Sequence, residues 1–342
     1  MRGFGQGFGL GFGTAATAIA MMMAPAAYAQ PAAPVAAPKI ERLDPALDAL
    51  VDVNTPIEQV ATGFSFTEGP VWHKGKLWFS DVTGDKLRTV DASGKVEVVL
   101  DNAGGYPNPP KGANIGSNGL VPDKDGSILM AQMGARRIAR LDAQGKVTPV
   151  VSDYEGKRLN SPNDLVIAPD GAIWFTDPPF GLFNGMEKDP AKEIAYSGVF
   201  RYANGKLTAA ITDLPLPNGI ALSPDGKTLY VSNYGEPGSI YAYALGADGA
   251  LSAKRTVIDF PRDGRGGADG MKIDSKGNIW TTGPGGLWIL TPQGKVLGRI
   301  RMPAQTANLA FGDDGKSVYI TSSASVYRVK IKVPGLMPRY SR

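Results

Sequence analysis

The segment NDLVIAPDGAIWF, residues 163–175, contains the pattern that decides the fold: a polar residue, an apolar run, an Asp-Gly turn and a second apolar run with aromatic residues. Two apolar runs around such a turn are typical of a β-hairpin. The pattern occurs six times along the chain, at intervals of about 40 to 55 residues. The first residues of the six units are Glu68, Asn118, Asn163, Asn218, Asp269 and Asn308.

Most units also contain a second hairpin turn, such as residues 93–95 (SGK) and 204–206 (NGK), so each unit has four predicted strands. Six four-stranded units predict an all-β fold, a six-bladed β-propeller, because closing the ring hides most strand edges. Two separate sandwiches would not explain a phase that is kept through all six units. We assign the propeller to residues 57–335 and expect residues 57–61 to close the ring by pairing with the last blade.

The composition of the 342 residues excludes several kinds of active site. The chain has no Cys and a single His, His73, so it forms no disulfide, thiolate nucleophile or Cys-based zinc site. We expect His73, which is close to a turn, to be a structural surface residue. The net charge of +4 comes from scattered Lys and Arg residues without a basic stripe, which indicates a solvated surface and no nucleic-acid partner.

The N-terminal residues have the pattern of a processing segment. Residues 1–29 contain a short apolar run and end in Ala-Tyr-Ala, which predicts a cleaved signal peptide; an uncleaved anchor is the alternative. Residues 30–56 are predicted to be an Ala/Pro-rich linker and a short N-terminal segment, with one short helix at residues 44–51. We therefore expect a periplasmic or secreted protein with no membrane contact after signal removal, and a monomer.

The six polar residues that begin the units are expected to meet. The first strand of every propeller blade lines the channel, and these residues lie seven or eight positions before their turn glycines. Taken singly, Asn-Gly and Asp-Gly are common turn dipeptides. Six in phase would instead bring two carboxylates and four amides to one channel mouth, where unpaired charges are costly. A calcium ion, which prefers oxygen ligands, resolves this cost, although another divalent cation is an alternative.

Four motifs resemble one known family: TEGPVW (67–72), SPND (161–164), PNGIA (217–221) and ADGM (268–271). They are similar to motifs of the senescence marker protein (regucalcin)/gluconolactonase/luciferin-regenerating-enzyme-like family over about residues 57–330. The resemblance implies a six-bladed propeller around a central metal-binding channel and hydrolysis of a lactone, with sugar lactones such as gluconolactone as expected substrates. It implies that the metal ligands are Glu68, Asn163, Asn218 and Asp269, and that Asp269 is also the catalytic acid/base or nucleophile. It implies that Asn118 contacts either the substrate or the ligands of the metal.

Loops at the expected mouth supply the remaining candidate substrate-binding residues, which are Met133, Asn233 and Tyr234. Bacterial proteins of the family often have His at the position of Met133, so a group that could donate a hydrogen bond or transfer a proton is missing here. Residues 177–198 form the longest such loop and are a candidate lid. Two other functions stay open: a non-catalytic propeller that binds a sugar acid or protein partner, and hydrolysis of phosphotriesters at the same site.

Overall fold

A computed structural model describes residues 37–235 and 238–341. The predicted signal peptide, residues 1–29, and the first part of the predicted linker lie outside the described residues. Within the described ranges, no helix is long and apolar enough to cross a bilayer.

The described residues form strands throughout, with two short 3-10 helices at Pro45–Ala49 and Met186–Lys188. The strands of the first half are β1 (Lys39–Arg42), β2 (Ile57–Thr62), β3 (Thr67–His73), β4 (Lys76–Asp81), β5 (Lys86–Val90), β6 (Val96–Asp101), β7 (Ser117–Pro122), β8 (Ile128–Gln132), β9 (Arg137–Leu141), β10 (Val147–Val151), β11 (Asp153–Tyr154), β12 (Lys157–Arg158), β13 (Leu165–Ile167) and β14 (Ile173–Asp177). Those of the second half are β15 (Gly198–Ala203), β16 (Lys206–Ile211), β17 (Pro217–Leu222), β18 (Thr228–Asn233), β19 (Ser239–Leu245), β20 (Leu251–Asp259), β21 (Met271–Ile273), β22 (Ile279–Gly283), β23 (Gly286–Leu290), β24 (Val296–Arg301), β25 (Thr306–Gly312), β26 (Ser317–Ser322) and β27 (Ser325–Lys330).

All of these strands except β11 and β12 form six antiparallel sheets in a ring, which confirms the predicted six-bladed propeller. Strands β11 and β12 pair with each other as a separate two-stranded sheet. Blades one to five begin with β3, β7, β13, β17 and β21, and each continues with the next three strands. Blade six combines β25, β26 and β27 with β2 from the N-terminal side, because β2 pairs antiparallel with β27. The expected ring closure is thereby confirmed, and it joins sequence positions near the two ends of the domain.

The segment before the ring is part of the fold. Strand β1 pairs with β24, so the fifth blade has a fifth strand. The 3-10 helix that follows is capped by Asp44, whose carboxylate accepts from the Ala46 amide at 2.9 Å. Leu47 is fully buried in the cluster that contains Trp280. Residues 39–51 therefore contribute core contacts between blades five and six.

Aromatic residues of the second strands fill the spaces between blades. Trp174 is fully buried against Leu229 of the next blade, and Trp280 is fully buried against Phe311. Burying a large apolar side chain stabilises the folded protein by about 1.5–3 kcal/mol, and aromatic rings are among the largest such side chains. This packing joins each of these blades to the next one in the ring.

The inner strands carry one-residue bulges at the channel mouth. In β7 the register shifts by one residue between Ser117 and Leu120, and in β17 it shifts between Pro217 and Ile220. A bulge bends the strand and redirects its side chains. Asn-Gly here is therefore part of a strand rather than a turn.

Glycines at these bulges allow adjacent inner strands to approach closely. A Cβ on Gly119 would lie 2.7 Å from the Asn163 carbonyl oxygen, and one on Gly219 would lie 2.3 Å from the Asp269 carbonyl oxygen. The Gly119 amide donates to that Asn163 oxygen at 2.7 Å. The glycine after the polar residue thus lets consecutive blades meet around the channel.

The C-terminal segment covers the end of the channel opposite this mouth. The Leu336 amide donates to the Ile273 carbonyl at 3.2 Å, and the Lys74 amide donates to the Ser341 carbonyl at 3.2 Å. A cavity of about 390 Å³ between this segment and the inner strands is lined mainly by apolar residues. His73 lies at this end with 1% of its surface exposed, so the expectation of a surface histidine was wrong. Residues of the C-terminal segment and the Trp78 ring surround it.

Candidate metal-binding active site

Five predicted site residues converge at the mouth of the channel. Glu68, Asn118 and Asn218 are the second residues of β3, β7 and β17, whereas Asn163 and Asp269 precede β13 and β21. Each of the five is at most 6% exposed. The Asp269 carboxyl group interacts with the Glu68 carboxyl group and with the Asn218 amide. The arrangement thus places two carboxylates and an amide side by side in a buried ring.

Hydroxyl groups from the second strands hold the backbone of this ring. Ser80 donates to the carbonyl of Asn118 at 2.8 Å, although Asn118 belongs to the next blade. The corresponding bonds are from Thr176 to Asn218 at 2.6 Å and from Ser232 to Asp269 at 2.7 Å. The motifs of the sequence did not indicate a role for these hydroxyls. A Ser or Thr just before the last residue recurs in five of the six second strands, with Ala131 as the exception, and this recurrence is the signal that could have revealed them.

Asp177 fixes the loop that leads to Asn163. Its two carboxylate oxygens accept from the backbone amides of Asn160 and Ser161, each at 2.7 Å. Complete burial raises the pKa of Asp177 to about 7, and the two amide hydrogen bonds oppose this shift. Asp81 accepts in the same way from Ser65 at 2.9 Å in the first blade. Both aspartates therefore fix the backbone of the segment that leads into the first strand of their blade.

Asn308 does not occupy the ring position predicted for it. The Ala307 carbonyl of the sixth blade accepts from the Gly270 amide of the fifth blade at 2.8 Å. In the third blade, the carbonyl that accepts the corresponding bond, from Gly119, is that of Asn163. Asn308 is therefore one residue further along and corresponds to Asp164. Counting back from the turn glycine failed because turn lengths differ: residues 74–75 in the first blade but 313–316 in the sixth.

A second polar layer lies directly below the ring. Asp164 is 2% exposed, and its Oδ2 lies 3.7 Å from the Lys272 Nζ. Lys272 also donates to Asn308 Oδ1 at 3.4 Å, and Asn308 Nδ2 donates to Glu68 Oε2 at 3.0 Å. Neither Asp164 nor Lys272 was among the site residues predicted from the sequence. The signals were an Asp where neighbouring units have Gly, and a Lys inside the apolar run of β21.

The ring carboxylates are electrostatically unfavourable without a cation. Burial raises the pKa of Glu68 to about 7. Hydrogen bonds from Gly69 and Asn308 oppose this shift, but their effect is smaller than that of burial. Burial, together with the Glu68 and Asp164 carboxylates, raises the pKa of Asp269 well above its usual value. Burial therefore disfavours their ionised forms, and a nearby positive charge would stabilise them.

Oxygen atoms suited to a hard cation are present and free. Asn118 Oδ1, Asn218 Oδ1 and Asp269 Oδ1 are buried without a hydrogen-bond partner. Calcium accepts carboxylate and amide oxygens, so these residues fit a divalent cation. Across residues 37–235 and 238–341, no group of three or more His, Cys, Asp or Glu side chains is suited to a metal. A cation at the mouth would therefore need amide oxygens among its ligands.

Comparisons with known proteins place this propeller among relatives. A family model described as "SMP-30/Gluconolactonase/LRE-like region" matches residues 66–324. The chain belongs to this family. It is 40% identical over 311 residues to a gluconolactonase of Zymomonas mobilis, covering 87% of each chain. It is also 27% identical over 273 residues to pentonolactonase XacC of Haloferax volcanii, covering 77% of this chain and 84% of the relative.

A solved gluconolactonase of Xanthomonas campestris has a similar structure, with a TM-score of 0.76 and 32% identity. The alignment covers 88% of this chain and 99% of that one. Family membership confirms the resemblance drawn from the four sequence motifs, and all four lie within or next to the inner strands.

The wall of the channel mouth next to Asn118 is partly apolar. Met133 is fully buried, and its sulfur accepts from Asn118 Nδ2 at 3.6 Å. This contact orients the amide so that its oxygen stays free. Asn233 Oδ1 accepts from the Leu216 amide at 2.8 Å, which supports the chain just before Asn218. These two candidate substrate-binding residues therefore also shape the ring.

Aromatic side chains form another part of the rim. The Tyr234 ring packs edge to face against Phe180, with 5.9 Å between ring centroids. The Phe180 carbonyl accepts from Asn114 at 3.3 Å. The candidate lid, residues 177–198, is anchored at its middle by buried Arg136, which donates to the Ala191 carbonyl at 2.7 Å. The loop is thus tied to the second blade.

Proposed function

We propose that this protein is a calcium-dependent hydrolase that opens lactones, most specifically sugar lactones such as gluconolactone. The observation that carries the proposal is the buried ring in which the Asp269 and Glu68 carboxyl groups meet beside unpartnered amide oxygens. The names of two relatives, a gluconolactonase and a pentonolactonase, support the substrate class. The ligands proposed for the cation are Glu68, Asn163, Asn218 and Asp269.

The residues of the ring would have different roles in lactone hydrolysis. A calcium ion bound there would supply positive charge that stabilises the oxyanion developing on the lactone carbonyl. Asp269 has a buried oxygen without a partner, so it can take the proton of the attacking water. As the ring C–O bond breaks, that proton passes to the leaving alkoxide and yields the hydroxy acid. The Asn118 amide, held by Met133, is placed to orient the substrate.

The assay that tests this proposal measures hydrolysis of glucono-1,5-lactone and a panel of other lactones by purified protein, with and without chelator. We expect a rate above the uncatalysed background that chelator abolishes and added calcium restores. A phosphotriester should be tested in parallel. Absence of a metal-dependent rate on every lactone would contradict the enzyme proposal and favour a binding propeller.

The pKa shifts predict how calcium and pH together affect stability. Because the folded protein binds protons on Glu68 and Asp269 more tightly than the unfolded chain does, metal-free stability should fall as pH rises from about 5 to about 8. Calcium should therefore raise the melting temperature more at about pH 8 than at about pH 5. Differential scanning fluorimetry measures both shifts.

Two variants test whether Glu68 and Asp269 are the calcium ligands. Glu68→Gln and Asp269→Asn should each weaken calcium binding and shrink the calcium-dependent rise in melting temperature. Calorimetric affinities that stay unchanged in both variants would refute the ligand assignment.

We propose further that the protein is exported. The apolar run and Ala-Tyr-Ala sequence within residues 1–29 support a cleaved signal peptide and a periplasmic or secreted location. Mass spectrometry of protein from its native cells would show an N-terminus near residue 30, and a retained Met1 would contradict the proposal.

A further inference from the structure

The second polar layer contains an ion pair that the proposed reaction does not use. Asp164 and Lys272 come from blades three and five, and they meet at 3.7 Å beneath the ring. Lys272 is 23% exposed in its side chain, and Asp164 is 3% exposed. An ion pair with a partly exposed lysine contributes little net stability, so its position calls for another explanation.

The pair is electrostatically linked to the ring. The charge of Asp164 acts on both Glu68 and Asp269, and the charge of Lys272 acts on Glu68. With a cation bound, the mouth would hold three carboxylates and one ammonium group, which leaves two negative charges. Two negative charges neutralise one divalent ion. Without the ammonium group, three would remain and would match a trivalent ion.

From this charge balance we infer that Lys272 sets the valence of the cation that the mouth accepts, by neutralising Asp164 beneath the ring. The inference rests on the proposed metal site and adds a determinant of its selectivity. Lys272 is linked to Glu68 by hydrogen bonds through Asn308. It is therefore a charge-balancing and positioning residue.

The test is calorimetric titration of chelator-treated protein with calcium chloride and, separately, with terbium chloride in phosphate-free buffer. In Lys272→Met we expect calcium to bind about tenfold more tightly. Terbium should bind about thirtyfold more tightly, because Coulomb energy scales with ion charge. The preference for the trivalent ion should therefore rise about threefold.

Three further variants make the test specific. Asp164→Asn should have the opposite effect and weaken the binding of both ions. The double variant, Asp164→Asn with Lys272→Met, should return both affinities to within about threefold of the unmodified protein. Lys272→Arg keeps the charge and should leave both affinities unchanged. Lys276→Met removes an exposed lysine of the same blade and controls for net charge.

The outcomes separate this inference from the proposed function. Unmodified protein that binds no calcium would overturn the metal site and this inference together. If unmodified protein binds calcium but Lys272→Met does not change either affinity, only the inference is overturned. Weaker binding of both ions to a Lys272→Met protein that melts normally would likewise overturn it, because Lys272 would then act by positioning Glu68 alone.

Discussion

Replacing Asp269 by Asn should lower the kcat/KM for lactone hydrolysis by about 10³-fold or more. The substitution keeps the size of the side chain and removes its negative charge. It therefore removes both a proposed cation ligand and the group that takes a proton from water. Initial rates on gluconolactone with saturating calcium measure the loss.

The same variant should be more stable than the unmodified protein when metal is absent. Asp269 is buried beside Glu68, and the cost of ionising it raises its pKa. A neutral amide avoids that cost, so the melting temperature at about pH 8 with chelator should rise. This combination of inactivity and added stability distinguishes a functional residue from a structural one.

Asp248→Asn provides the matched control for charge. Asp248 lies in an exposed turn, where it accepts from the Ala250 amide at 3.0 Å. Its replacement should leave activity and the calcium response unchanged. An Asp269→Asn protein that keeps more than about a tenth of the activity would contradict the proposed role.

Replacing Gly219 by Ala should destabilise the protein by about 3 kcal/mol or more, the upper range for overpacking. The new Cβ would lie 2.3 Å from the Asp269 carbonyl oxygen and 2.9 Å from Gly270 Cα, so the backbones of blades four and five would have to separate. Because Gly219 follows Asn218 directly, this separation should also disrupt the ring and lower activity. Urea denaturation of calcium-free protein measures the stability change.

Gly145→Ala separates this steric effect from backbone strain. Gly145 lies in a turn with φ of +81°, and a Cβ there would meet nothing within 4 Å. Its replacement should cost only about 1–2 kcal/mol, through the left-handed conformation. Equal losses for Gly219→Ala and Gly145→Ala would show that the inner strands have room to move apart.

The repeat in the sequence predicted the blades, the ring closure by β2 and the convergence of five polar residues, because alternating strands and turns follow local chemistry. It did not predict the exact register, since one residue more or less in a turn moved Asn308 out of the ring. It also left out the Asp164–Lys272 pair. That pair forms only when β13 and β21 face each other across the channel, a contact between residues 108 positions apart that no local pattern encodes.

The covering of the far end by residues 335–341 has a practical consequence for handling the enzyme. Lactone and hydroxy acid should both pass the mouth that carries the ring residues, so the product should compete with the incoming substrate. The carbonyl of Ser341 accepts a hydrogen bond from the Lys74 amide at the end of the channel opposite that mouth. A surface or carrier coupled through the C-terminus would therefore leave the entrance open to solution.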